Sequence, residues 1–189
     1  MEVQHASWWN QVCYGGNPGG TGFFISPQGH LITTRHVIEG YSNPTIFLSF
    51  SDRSVKASII AVHPTEDIAL LKIDDLNNLQ FSYFELSSIP GEIGDWVFSP
   101  LAMGVCGWSS HLLLLPAMGK IIGGSNNPSL LALSMGCVKG NSGSPILNLE
   151  GHLIGVATQK PVISDNDREI GATLFTPLDK FKDWIKENL

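Results

Sequence analysis

A serine lies within a run of small residues between Gly136 and Asn148, whose sequence is GCVKGNSGSPILN. Ser142 is flanked at short distance by Gly140 and Gly143, and an apolar segment follows. Glycine adopts backbone conformations that other residues avoid, so this run can hold one hydroxyl in a tight bend surrounded by bare amides. A serine hydroxyl becomes a nucleophile when a neighbouring base removes its proton. A glycine-rich hairpin without chemistry is the competing interpretation.

Two further residues could complete a nucleophilic site. His36 follows the apolar segment HLITT, and Asp67 immediately precedes the apolar segment Ile68 to Leu71. An imidazole at a strand end can point into a cleft and accept the proton of a hydroxyl. A carboxylate drawn toward the interior can hold the other ring nitrogen and so determine the tautomer. Each residue alone also fits an ordinary surface or turn position, but the order His–Asp–Ser favours a catalytic set.

The elements that must position these side chains are short and mostly extended. Twelve apolar or alternating segments are separated by turn residues, and the 20 glycines and 11 prolines are spread along the chain. This pattern predicts an all-β sandwich or a pair of barrels. An immunoglobulin sandwich is disfavoured because its Cys–Trp–Cys spacing is absent. A helix is predicted only at the end, with Thr176 as N-cap and Leu178, Phe181 and Ile185 on one apolar face.

The composition indicates a globular protein and argues against several classes of partner. Of the 189 residues, 43% are hydrophobic and 15% are charged, and the net charge is −6. Because no basic cluster is present, neither a nucleic acid nor a membrane surface is an expected partner. The longest apolar patch, centred on Leu112 to Leu115, is far shorter than the roughly 20 residues that span a bilayer.

The cysteines and histidines bear on location and cofactors. Cys13, Cys106 and Cys137 are an odd, sparse set without a CxxC pair, which favours free thiols in a reducing compartment. The first residues lack the basic start and apolar run of a secretory signal. A cytoplasmic location is therefore expected. The six histidines show no metal-ligand spacing, so neither a metal nor another cofactor is expected.

Three segments together resemble the signature blocks of the chymotrypsin-like (trypsin-fold) serine peptidases, and they are closest to the HtrA-like bacterial branch. The segments are TGFFISPQGHLITTRHV, DIALLKI and GNSGSPILNLEGHLIGVAT. The resemblance implies two six-stranded β-barrels with an active-site cleft between them and a C-terminal helix. It implies an N-terminal lobe over residues 1–88 carrying His36 and Asp67. A C-terminal lobe over residues 89–189 carries Ser142 and the helix, and both form one peptidase domain.

The resemblance also implies roles for individual residues. Ser142 is the nucleophile, His36 is the general base and then acid, and Asp67 orients the imidazole. The oxyanion hole consists of the backbone amides of Gly140 and Ser142, with Asn141 between them. Thr158 matches a serine that helps to hold the aspartate. The resemblance implies a pocket lined by Gly136, Cys137, Ala157 and Thr158, with Lys160 at its entrance. Because Gly136 stands where an aspartate would attract Arg or Lys, cleavage after small or medium apolar residues is expected.

The predicted function is a serine endopeptidase that hydrolyses a polypeptide substrate through an acyl-enzyme intermediate. Control by a regulatory domain or protein partner is a second expectation, because a glycine-rich oxyanion loop needs ordering before its amides can act. The alternative is a catalytically silent module that keeps the trypsin fold and binds peptides in the cleft. The intact set of three residues argues against that alternative.

Overall fold

The fold comes from a computed structural model that describes residues 4–6, 9–14, 17–48, 54–76, 79–103, 113–124, 127–136, 140–159 and 172–189. Within these ranges the chain forms fourteen strands and two short α-helices. The all-β class with a C-terminal helix is thereby confirmed. In chain order the elements are β1 (Gln4–Ala6), β2 (Trp9–Tyr14), β3 (Asn17–Phe24), β4 (His30–Thr33), α1 (Arg35–Ile38), β5 (Thr45–Leu48), β6 (Ser54–Val62), β7 (Ala69–Ile73), β8 (Leu79–Phe81), β9 (Trp96–Met103), β10 (Leu113–Gly124), β11 (Leu131–Leu133), β12 (Pro145–Leu147), β13 (Leu153–Gln159), β14 (Thr173–Pro177) and α2 (Lys182–Asn188).

Two closed barrels of six strands each make up the fold, as predicted. The first has the strand order β2-β3-β4-β7-β6-β5, and the second has the order β10-β11-β14-β13-β12-β9. All neighbouring strands within the barrels are antiparallel. A single residue pair, Leu147 with Phe98, joins β12 to β9 and completes the second barrel.

Three apolar clusters hold the barrels, one inside each barrel and one between them. Successive side chains of a strand point to opposite faces, so strands at the interface are apolar on both faces. On β7, Leu71 lies in the first-barrel core, whereas its neighbour Leu70 lies in the cluster between the barrels. This explains why the segment Ile68 to Leu71 is continuously apolar rather than alternating. Strands β3 and β4 divide their side chains likewise, as Phe24 and Leu31 inside and Phe23 and Ile32 outside.

The connection between β7 and β9 runs along the second barrel. Leu86 forms an isolated bridge with Leu153. The backbone N–H of Ser87 donates to the carbonyl of Leu153, and the N–H of Leu153 donates to the carbonyl of Glu85. The predicted boundary between the lobes at residue 88 falls within this connection and stays a prediction.

The C-terminal helix begins later than the sequence predicts. Thr176, the expected N-cap, lies inside β14 and is paired there with Val156 of β13. Residues Leu178–Lys180 form a 3-10 turn, and α2 starts at Lys182. Strand pairing in the second barrel therefore overrides the local Thr-Pro helix signal. Neither α2 nor any other helix in the described ranges is long and apolar enough to cross a membrane.

Candidate active site

The carboxylate of Asp67 contacts two nitrogen atoms of His36. The side-chain Nδ1 of His36 lies 2.6 Å from Oδ2 of Asp67, and the backbone N–H of His36 donates to Oδ1 at 2.9 Å. Because the acceptor is a carboxylate, the ring proton belongs on Nδ1, which leaves Nε2 free to accept a proton. The His36 side chain is 45% exposed and that of Asp67 is 29% exposed. The carboxylate is thus only partly withdrawn from solvent, less than expected from the apolar run that follows it.

Strand pairing explains why these two residues meet. His36 lies in the one-turn helix α1 directly after β4, and Asp67 lies two residues before β7. Strands β4 and β7 are antiparallel neighbours, and Thr33 is paired with Ala69. The end of one strand therefore lies beside the start of the other. The buried Val37 anchors α1 to the barrel, so the exposed imidazole is carried at the barrel edge.

The loop around Ser142 is held in a sharp bend by two glycines. Gly140 and Gly143 have φ angles of +100° and +89°, a region that residues with a Cβ rarely adopt. The N–H of Gly143 donates to the carbonyl of Ala157 at 2.8 Å. A methyl carbon on Gly143 would lie 2.0 Å from the carbonyl oxygen of Thr21. Only glycine fits that position, because the loop presses against the first barrel there.

Thr21 of β3 joins the serine loop to the first barrel. Its backbone N–H donates to the carbonyl of Ser142 at 2.8 Å, and its hydroxyl donates to the carbonyl of Gly140 at 2.8 Å. The carbonyl of Thr21 in turn accepts the hydroxyl of Thr33 at 2.7 Å. These hydrogen bonds connect the serine loop of one barrel to strands β3 and β4 of the other.

Gly20 brings the serine loop close to the histidine helix. A methyl carbon on Gly20 would lie 2.6 Å from the carbonyl oxygen of Ser142 and 2.5 Å from Cγ2 of Val37. The residue after His36 and the backbone of Ser142 therefore both lie beside the Cα of this glycine. The serine loop is thus brought close to the helix that carries His36.

Sequence reasoning missed the roles of Gly20 and Thr21. The signal was present, because a glycine inside a strand marks a close backbone approach, and Gly19 and Gly20 are consecutive in β3. The sequence of the strand does not indicate which other segment of the chain approaches it.

The Ser142 hydroxyl donates to the carbonyl of Thr158 at 3.1 Å. Within the described part of the chain, no hydrogen bond joins Ser142 to His36. The hydroxyl of Thr158 donates to the carbonyl of Leu174 on the adjacent strand at 3.2 Å. The expectation that the Thr158 hydroxyl helps to hold Asp67 is therefore not met, because that hydroxyl is buried within the β13–β14 pair.

The predicted oxyanion loop presents two amides. Among the described residues, the N–H groups of Gly140 and Ser142 have no hydrogen-bond acceptor. Between them, the Asn141 side chain is fully buried, and its carbonyl accepts the N–H of Ser144 at 2.9 Å.

The predicted pocket residues are only partly described. Gly136 is exposed, and a methyl carbon there would meet nothing within 4 Å. Ala157 and Thr158 are buried, the former in the core of the second barrel. Both act on the serine loop through backbone groups. Cys137 and Lys160 lie outside the described residues, and the uncharged pocket stays a prediction.

Residues 20–156 match the family model of the trypsin-like peptidase domain. The chain belongs to this family. The resemblance to trypsin-fold peptidases is thus confirmed, and the names of the relatives described next support the HtrA-like branch.

Curated relatives carry names of the same kind. The chain is 28% identical over 167 residues to a probable periplasmic serine endoprotease DegP-like of Rhizobium meliloti, covering 88% of this chain and 32% of the relative. It is 31% identical over 166 residues to a protein of the same name from Pseudomonas fluorescens, covering 85% and 33%. The chain therefore spans about one third of the length of these relatives.

Solved structures share the fold. The MamO protease domain from Magnetospirillum magneticum aligns with a TM-score of 0.73 and 17% identity, covering 94% of this chain and 95% of that chain. A serine endoprotease from Yersinia pestis aligns with a TM-score of 0.72 and 20% identity, covering 95% and 61%. The HtrA-type protease AlgW with a decapeptide aligns with a TM-score of 0.69 and 23% identity, covering 90% and 51%.

The expected cytoplasmic location is wrong. The relatives from several bacteria are named periplasmic, which points to the periplasm. The error lies in the inference from cysteine. A compartment that permits disulfides does not require them, so a small odd set of cysteines says little about location.

Proposed function

We propose that this chain is the peptidase domain of a serine endopeptidase in which Ser142, His36 and Asp67 carry the reaction. The supporting observation is the double contact between Asp67 and His36, because it leaves Nε2 of the ring as a proton acceptor at the edge where the Ser142 loop lies. A carboxylate in this position also stabilises the imidazolium that forms when the histidine takes a proton.

The reaction follows from these groups. The Ser142 oxygen attacks the peptide carbonyl carbon, and its proton passes to Nε2 of His36. The tetrahedral intermediate then collapses, the C–N bond breaks, and His36 gives the proton to the departing amine. Water repeats the sequence on the ester, with His36 again as base, and releases the carboxylate product and the free serine.

The amides of Gly140 and Ser142 are the proposed donors to the oxyanion. Negative charge develops on the substrate carbonyl oxygen during both steps, and fixed N–H dipoles stabilise it without having to reorganise. Removing one such donor typically raises the barrier by about 3–4 kcal/mol. The hydrogen bonds from Thr21 to the carbonyls of Gly140 and Ser142 support this role, since they fix the backbone of the two residues that carry these amides.

The hydroxyl of Ser142 must leave the carbonyl of Thr158 before it attacks. The hydroxyl sits on a single rotatable bond with staggered minima, so the proposal requires one change of side-chain rotamer that turns it toward His36. Regulation by a partner protein or an adjoining domain is part of the proposal. It would act on this rotamer change or on the ordering of the oxyanion loop.

The proposed substrate is a polypeptide. One solved relative is described with a decapeptide, and the His36 side chain, at 45% exposure, is accessible to an extended chain. Cleavage after small or medium apolar residues is proposed because no charged side chain is expected at Gly136 and its neighbours. A panel of fluorogenic peptides tests this preference, and a strong preference for Arg or Lys would contradict it.

A fluorophosphonate probe tests the activity itself. The wild type is expected to be labelled on Ser142, and labelling is expected to vanish in Ser142→Ala. The matched control is Ser144→Ala, because Ser144 lies two residues further on and its buried hydroxyl has no partner among the described residues. Labelling of the control at the wild-type rate supports the proposal. A wild type that binds peptides but never reacts would favour the silent binding module.

A further inference from the structure

Asp67 belongs to a six-residue loop, His63 to Ile68, that connects β6 to β7. The base of this Asp67 loop is closed by the backbone N–H of His63, which donates to the carbonyl of Ile68 at 2.9 Å. Beyond this base the loop must present the Asp67 carboxylate to His36, and its remaining backbone groups need partners of their own.

The side chain of His63 supplies those partners. Its Nδ1 accepts the backbone N–H of Glu66 at 3.0 Å and that of Thr65 at 3.3 Å. An acceptor that binds the N–H groups two and three residues further on is the arrangement by which Asn and Asp cap turns and helix starts. Here an imidazole performs it. Nδ1 can accept only while it carries no proton, so the loop conformation requires neutral His63 with its proton on Nε2.

The surroundings of His63 favour the neutral ring. Its side chain is only 8% exposed, and its ring lies edge-on to that of Trp184 from α2, with centroids 5.1 Å apart. The charged groups that act on the ring are the carboxylate of Glu66 and the guanidinium of Arg35. Burial lowers the pKa of His63 below its ordinary value of 6.5, Glu66 opposes this, and Arg35 adds to it.

The far side of the loop is tied to the second barrel. The carboxylate of Glu66 accepts the hydroxyl of Ser129 at 3.1 Å. Glu66, which directly precedes Asp67, therefore has its backbone N–H bound by His63 and its side chain bound to the second barrel. Because Glu66 is bonded directly to Asp67, the loss of its hydrogen bond to the His63 ring alters the position of Asp67.

We infer that His63 is a positioning residue whose neutral imidazole holds the Asp67 loop in the conformation that binds His36, and that protonation of His63 releases this conformation. Its consequence for rate rests on the proposed function, whereas its consequence for the His36–Asp67 contact does not. His63 is therefore a second histidine through which acid slows the reaction, without touching the substrate.

Two variants separate the capping role from mere space filling. His63→Asn keeps an acceptor for the N–H groups of Thr65 and Glu66 but removes the titration. His63→Leu fills the space beside Trp184 and removes the acceptor. We expect kcat of the Asn variant to match that of the wild type at pH 8 and to exceed it as the pH falls below 6.5, by at least threefold once two thirds of the wild-type His63 rings are protonated. For the Leu variant we expect kcat at least tenfold lower at pH 8, with KM within twofold.

A second measurement does not depend on hydrolysis. The Nδ1 proton of His36, bonded to Asp67, should give a far-downfield proton resonance in NMR spectra, assigned by its loss in Asp67→Asn. This resonance should persist in His63→Asn and disappear in His63→Leu. A wild-type protein that shows the resonance but hydrolyses no peptide would contradict the proposed function. The NMR spectra of the two His63 variants would then decide this inference by themselves.

Two results would overturn the inference. One is a ratio of kcat between His63→Asn and wild type that does not change between pH 8 and pH 5.5. The other is a folded His63→Leu protein that keeps both the wild-type kcat and the His36 resonance. If the Leu variant fails to fold, the pH dependence of the Asn variant still decides.

Discussion

The hydroxyl of Thr21 donates to the carbonyl of Gly140 across 119 positions of the chain, at a distance of 2.8 Å. With the neighbouring bond from the Thr21 N–H to the carbonyl of Ser142, it makes the first barrel a support for the serine loop of the second. The conformation of the serine loop therefore depends on how the two barrels pack.

Thr21→Val is expected to slow the reaction without unfolding the protein. Valine matches the shape of threonine but leaves the carbonyl of Gly140 without its donor. A loss of about 1 kcal/mol in loop ordering corresponds to a fall in kcat of about fivefold. Steady-state kinetics with a peptide substrate measures it. Thr21→Ser keeps the hydroxyl and should stay close to the wild-type kcat; equal losses in both variants would point to packing instead.

Gly143→Ala is expected to destabilise the fold strongly. The new methyl group meets the carbonyl oxygen of Thr21 at 2.0 Å, and the backbone has a positive φ. Strain and overpacking together predict a loss of about 3 kcal/mol in the free energy of unfolding, measured by urea denaturation. Gly151→Ala is the control, since Gly151 also has a positive φ but open space around it; it should lose about 1 kcal/mol. Equal losses would refute the steric argument.

Asp67→Asn is expected to abolish most of the activity while leaving substrate binding intact. The amide cannot hold the His36 tautomer that keeps Nε2 as an acceptor, and the analogous change in serine proteases lowers kcat by about 10⁴. Active-site titration followed by steady-state kinetics measures it. Asp183→Asn, at an exposed carboxylate of α2 bonded to Lys186, should not change kcat. A loss of less than tenfold in Asp67→Asn would remove Asp67 from the mechanism.

The free energy of unfolding is expected to fall as the pH drops from 6.5 toward 5.5. Burial lowers the pKa of both His30 and His63, and Lys72 adds to the effect at His30. In this window the unfolded chain binds more protons than the folded protein does, so the free energy of unfolding rises with pH. Below the lowered folded-state pKa values both states are protonated, and this loss stops.

Urea denaturation at several pH values measures this dependence. The double variant His30→Asn/His63→Asn should show a shallower decline than the wild type. His152→Asn, at a histidine that is 44% exposed, is the control for the replacement of an imidazole by an amide. A wild-type unfolding free energy that stays constant over the window would contradict the prediction.

Much of the fold and site follows from local patterns. Short apolar segments with frequent turns predicted an all-β sandwich or a pair of barrels, because a strand pattern is visible over a few residues. The resemblance to trypsin-fold peptidases then favoured the barrels. The positions of His36, Asp67 and Ser142 at strand ends and in a glycine-rich bend were visible for the same reason. The helix start was not, since the pairing of Thr176 with Val156 comes from a partner strand that the Thr-Pro signal does not contain.

The sequence alone determined which side chains are available for chemistry and how apolar residues recur along each strand. The tertiary structure decided where their hydrogen bonds go. It directs the Ser142 hydroxyl to the carbonyl of Thr158 and the Thr158 hydroxyl to Leu174, and it makes the ring of His63 a cap for the Asp67 loop. The physical reason is that a hydrogen bond depends on distance and direction in space. Groups that meet only when two barrels pack leave no periodic trace along the chain.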